Sequence, residues 1–162
     1  MNQLAAFVFL IATLPCLFLI CYRDLREMRI PNSHNLYLLL VFVVLGPFVL
    51  PFDIYLWQLL YGFIGFVVAV IVMMAGIVGG GDAKMMAAIT PYILPQLWVS
   101  FLLSLTIFGI SAIIAHALMR LIPQLRPEVQ SWKSWESFRK VPYGVPIAIT
   151  FVYYLLHQAQ VL

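Results

Sequence analysis

Six apolar runs, separated by short polar, glycine-rich or proline-rich stretches, occupy almost the whole chain, and few folds accommodate that pattern. The runs extend from about Leu4 to Tyr22, Asn35 to Leu50, Ile54 to Val78, Ala83 to Leu94, Leu97 to Leu121 and Tyr143 to Ala159. A membrane-crossing helix needs roughly 20 apolar residues. Five runs come near that length; the fourth, Ala83 to Leu94, falls well short of it. Hydrophobic residues make up 64% of the 162 positions and charged residues 9%, against roughly 45–50% and about 25% in soluble chains. A soluble protein of this size cannot hide so much apolar surface, so the solvent is a bilayer. The expected fold is all-α: one membrane-embedded domain over residues 1–162, with six transmembrane helices and a short fourth helix sheltered by its neighbours.

The charge pattern supports six crossings. If every run crosses, the links after the first, third and fifth runs lie on one side. They carry Arg23, Arg26, Arg29, Lys84, Arg120, Arg126, Lys133, Arg139 and Lys140, every Lys and Arg in the chain. The opposite side has Asp53 as its only acid. The positive-inside rule makes the charged side cytoplasmic, with both termini outside. A re-entrant fourth run would put the Arg126–Lys140 stretch on the wrong side. Trp57 and Trp98 fall near the outer ends of their runs, where interfacial anchors sit.

The net charge of +3 is a topology signal rather than a phosphate-binding patch, so nucleic acid is not an expected partner. Cys16 and Cys21 form no paired CxxC motif, which argues against structural zinc, and both are read as packing residues. The first run lacks a positive flank and is longer than a signal-peptide core, so it reads as a retained span. Glu128–Lys140 (EVQSWKSWESFRK) places Val129, Trp132, Trp135 and Phe138 among charges, as an amphipathic segment on the cytoplasmic leaflet would. Gly62, Gly65 and Ala69 share one face of the third run and permit close helix contact.

Two acids stand out by position. Asp24 follows the first run, and Asp82 follows three consecutive glycines at the start of the fourth, both at the same membrane edge. Ionisable groups there usually have a partner or a function. Two neighbouring carboxylates share a proton: one, ionised, takes a proton from water, and the other, protonated, polarises a carbonyl. The glycines allow a sharp turn and close backbone approach. Plainer readings exist: Asp24 pairing with Arg23, Arg26 or Arg29 in a solvated loop, and Asp82 serving as a helix N-cap.

These residues fall in motifs that resemble those of the type IV prepilin peptidases, GxGD-class intramembrane aspartyl proteases. Asp24 is followed by Ile30-Pro31-Asn32; Gly79-Gly80-Gly81-Asp82 with Lys84 resembles GxGDxK; and Pro142-Tyr143-Gly144 resembles the PYG element before the last helix. The resemblance implies Asp24 and Asp82 as catalytic residues. Ile30, Pro31, Asn32, Gly79, Gly81, Lys84, Pro142, Tyr143 and Gly144 are then supporting positions. It implies no metal or cofactor, and as substrates prepilins or pseudopilins with a short basic leader, cut after a Gly at the cytoplasmic face of a bacterial inner membrane. Longer family members carry paired CxxC motifs and methylate the product; this sequence has neither motif, so methylation is not expected. Its short form looks like the peptidases of Tad/Flp pilus systems, with archaeal preflagellin peptidases a second match.

Two readings of other classes stand beside this one. A proton-coupled transporter would place its acids near the bilayer midplane rather than at the edge. A structural subunit of a pilus or secretion assembly would not need either aspartate. Oligomeric state is not legible in the sequence.

Overall fold

The structure is a computed structural model that describes residues 1–119, 121–122, 132–136 and 141–161. It is all-helical among these residues. The helices are α1 (Gln3–Glu27), α2 (Asn32–Val49), α3 (Phe52–Met74), α4 (Gly80–Ile89), α5 (Trp98–Met119), the single turn α6 (Lys133–Glu136) and α7 (Gly144–Gln158). Four are long and apolar enough to cross a membrane: α1, α2, α3 and α5 with the preceding turn from Pro95. α4 and α7, at 10 and 15 residues, fall below that length.

Successive long elements run in opposite directions. Asn2 donates to the Val49 carbonyl, and Gln3 pairs with Gln160, so the start of α1 lies beside the ends of α2 and α7. The opposite end of the bundle gathers the end of α1, the starts of α2, α4 and α7, and the end of α5.

Aromatic packing explains how α4 is accommodated. Its last turn passes into a 3-10 turn, Thr90–Tyr92. There the fully buried Tyr92 ring meets Phe9, Phe42 and Phe151 at centroid distances of 5.0, 5.0 and 5.1 Å. Its hydroxyl donates to the Leu38 carbonyl. Tyr154 donates to the Tyr92 carbonyl and accepts from the Leu94 N–H, covering backbone groups that the short helix leaves open. The sheltering expected for the fourth run is therefore present. Small residues on α3 let it approach: a side chain at Gly65 would begin 2.5 Å from Thr90, and one at Gly62 would begin 3.1 Å from Pro91. Met85, Ala88 and Ile89 fill the buried face of α4.

Three expected boundaries differ. α1 does not stop with its apolar run at Tyr22 but continues to Glu27, because Arg23 to Glu27 are residues that helices accept. α3 ends at Met74, earlier than the glycine triplet. Gly76 takes a φ of +70°, with Gly76 N–H bonded to the Met73 carbonyl and Ile77 N–H to the Val72 carbonyl. Gly80 and Gly81 belong to α4 itself. The amphipathic segment expected over Glu128–Lys140 falls largely outside the described residues, as do Arg120, Arg126, Arg139 and Lys140. Within it, Trp132 meets Tyr22 of α1 edge-on, and Trp135 stacks on His116 of α5.

Candidate active site

Asp24 lies inside α1, one turn before its end, rather than in a loop after it. The helix stops at Met28, which adopts the left-handed conformation and returns its N–H to the Asp24 carbonyl at 2.9 Å. This fixes the Asp24 backbone at the last full turn and turns its side chain inward, where the residue is buried. The neighbouring arginines do not take it: Arg23 pairs with Glu27, and Arg26 donates to Tyr22. The carboxylate instead accepts, at Oδ2, the backbone N–H of Gly144 at 2.7 Å.

Gly144 is the first residue of α7, and its N–H is one of the donors that a helix start leaves unpaired. An anion there also meets the positive end of the helix dipole. The contact requires glycine. A Cβ at this position would lie 2.8 Å from Asp24 Oδ2 and 2.9 Å from Ile30 Cδ1.

Asp82 stands in the first turn of α4, whose N-cap is Gly79, so it is not an N-cap itself. A side chain at Gly79 would begin 3.0 Å from Asp82 Oδ2, which shows how closely the carboxylate folds back over the helix start. Asp82 lies outside the four long spans and is half-buried. Burial, and after it the charge of Asp24, pushes its carboxyl up to about 6. The two acids therefore occupy the same end of the bundle and act on one another electrostatically.

Ile30 joins the two halves. Its buried side chain reaches Gly144, and a Cβ at Gly81 would be 3.4 Å from Ile30 Cβ. Pro31 is the N-cap of α2, and the next residue, Asn32, accepts a hydrogen bond from Lys84 Nζ at 3.1 Å. The Ile-Pro-Asn element thus touches α7 through Ile30 and α4 through Asn32. Pro142 is buried before α7, while Tyr143 is exposed and faces the same cavity as Asp82.

All the residues singled out by motif come to this one end. What sequence reasoning missed is the Gly144 N–H as a ligand of Asp24; its motif was visible, but not which helix start meets which carboxylate. Among the described residues, no three His, Cys, Asp or Glu side chains gather as a metal would require. The arrangement offers chemistry based on two carboxyl groups: a held, buried one and a more accessible one bordering a cavity of about 580 Å³.

A family model described as the type IV leader peptidase family matches residues 11–118. The matched segment contains Asp24, Ile30-Pro31-Asn32 and Gly79 to Lys84, and it ends before Gly144. No curated protein and no solved structure matches the chain.

Proposed function

The chain belongs to the type IV leader peptidase family, and from that premise we propose that it is a membrane aspartyl endopeptidase with Asp24 and Asp82 as its catalytic pair. Its substrates are prepilins or pseudopilins of the Flp type, cut after a glycine that ends a short basic leader. The observation that carries this reading is the pairing of a buried carboxylate, held by the Gly144 N–H, with a second carboxyl group at the same bundle end.

In the proposed reaction one carboxylate takes a proton from water as that water attacks the scissile carbonyl. The other, protonated, donates a hydrogen bond to the carbonyl oxygen. The tetrahedral intermediate then collapses: the C–N bond breaks, the amine leaves with a proton, and the pair returns to its singly protonated state. Ile30 keeps the starts of α4 and α7 at a fixed separation, and Gly144 holds Asp24 in place. Among the described residues, Arg23, Arg26, Arg29, Lys84 and Lys133 lie on segments at or next to this end, which supports a cytoplasmic active site in an inner membrane with extracytoplasmic termini. The 162 residues contain no paired CxxC motif, so cleavage is proposed to leave the new N-terminus unmethylated.

Co-expression with a candidate prepilin, read as a gel shift, tests the reading. Wild type shortens the substrate, whereas Asp24→Asn and Asp82→Asn leave it full length. A transporter or assembly role would leave the substrate unprocessed in every case.

A further inference from the structure

α5 packs mainly on α7 and stands away from α3 and α4 over most of its length. The space between them is divided into two cavities of about 580 and 500 Å³ that share Val78 and Met86 as a common wall. Trp98, Leu102, Leu105, Gly109 and Ile113 of α5 border this space, at spacings that put them on one helical stripe. From Trp98 to Ile113 the stripe runs for about 22 Å at the helical rise, most of the thickness of a bilayer core of about 30 Å. Gly109 lies in its Asp82-bordering half, one turn before Ile113, and a Cβ there would meet nothing within 4 Å. The cleft is thus apolar, about as long as a buried helix, and bordered at its charged end by Asp82.

A second groove of about 480 Å³ lies on the other side of α4, between α2 and α3. Asp82 and Met86, four residues apart, face the first cleft, while Lys84, Ala87 and Ala88 face this one. The charged residue bordering the second groove is a lysine, bonded to Asn32, which repels a basic leader. The charge at the first cleft is a carboxylate.

We propose that the cleft between α4 and α5 receives the apolar helix that directly follows the scissile bond of the substrate, seating it so that its first residues arrive beside Asp82. The inference rests on the peptidase reading above. It goes beyond that reading by choosing one of two grooves, and it makes Gly109 a specificity-determining residue. The gap at Gly109 leaves the room that close packing of a second helix needs.

The test uses the full chain in phospholipid vesicles and two synthetic substrates. One has a basic leader ending in Gly followed by an apolar helix of about 20 residues; the other is a short peptide across the same bond without the helix. Gly109→Trp fills the cleft. It should lower the preference for the helix-bearing substrate, as the ratio of kcat/KM values, by about tenfold or more, which corresponds to about 1.4 kcal/mol of lost binding. In a separate arm, a photo-crosslinking residue at position 109 should capture the helix-bearing substrate, and one at Phe63, in the second groove, should not. An unchanged ratio in a folded Gly109→Trp protein, or capture from Phe63 alone, overturns the assignment while leaving the peptidase reading intact. The crosslinking arm decides the matter if Gly109→Trp does not fold. If wild type cleaves neither substrate, the peptidase reading falls, and this inference with it.

Discussion

The backbone N–H of Gly144 donates to the buried carboxylate of Asp24 at 2.7 Å, joining residues 120 positions apart. It ties the end of α1 to the start of α7 and sets the position of one of the two acids. A buried carboxylate that loses such a donor either moves or neutralises, since an ionised group without partners is costly away from water.

Gly144→Ala tests this tie. The added methyl would begin 2.8 Å from Asp24 Oδ2 and 2.9 Å from Ile30, so α7 must shift. We expect a stability loss of about 1–3 kcal/mol from overpacking and a fall in cleavage of about 10²-fold from a misplaced carboxylate. Thermal melting in detergent and a cleavage assay on the same sample read both. Wild-type activity in the alanine variant would show that the tie does not position Asp24.

Ile30→Ala removes a buried wedge between the starts of α4 and α7. Truncating a buried isoleucine costs about 2–5 kcal/mol. Cleavage should fall as well, because Gly81 and Gly144 lose their common spacer. Ile30→Val, which keeps most of the volume, should cost only about 0.5–1.5 kcal/mol and restore most of the activity.

The pH profile should fall on its alkaline side. Burial and the charge of Asp24 raise the Asp82 carboxyl to about 6, so it keeps its proton to higher pH than an ordinary aspartate. In the proposed mechanism the singly protonated pair is the active form. It dominates below the upper titration step and is lost as pH rises through it, placing the alkaline limb at or above about pH 6. Initial rates between pH 4.5 and 8.5 measure it, and a rate still rising through pH 8 would contradict a shared proton.

Gly65→Leu should disrupt the fold rather than the chemistry. The new side chain would begin 2.5 Å from Thr90, where α3 lies against the turn that ends α4. A loss of at least about 1–3 kcal/mol follows from overpacking, seen as a lower melting temperature. Gly109→Leu, at an α5 position with open space, should leave the melting temperature close to wild type.

That both aspartates come to one end of the bundle was legible because charge is conspicuous in a chain that is 64% hydrophobic, and it marks where the apolar runs end. The shelter around the short fourth helix was legible too, since a short run in a bilayer requires it. The end of α1 was not. Hydropathy marks where apolar residues stop, whereas the helix runs on until Met28 turns left-handed. The glycine triplet falls between the third and fourth apolar runs, yet only Gly79 lies outside α4. The positive φ that ends α3 belongs to Gly76, and Gly81 lies in the first turn of α4 beside Ile30. Contacts between distant segments, such as Asp24 with Gly144, depend on which helices are neighbours, and helix order does not supply that.

The central claim is that Asp24 and Asp82 form one catalytic pair. Its most direct measurement is mass-spectrometric detection of the released leader from a prepilin substrate, using purified wild type, Asp24→Asn and Asp82→Asn. Melting temperature serves as the control for folding. The pair predicts that each variant melts as a folded protein while its initial rate drops by about 10²-fold or more, and that the double variant is no slower than either single one. Substantial cleavage by either folded asparagine variant would contradict the pair.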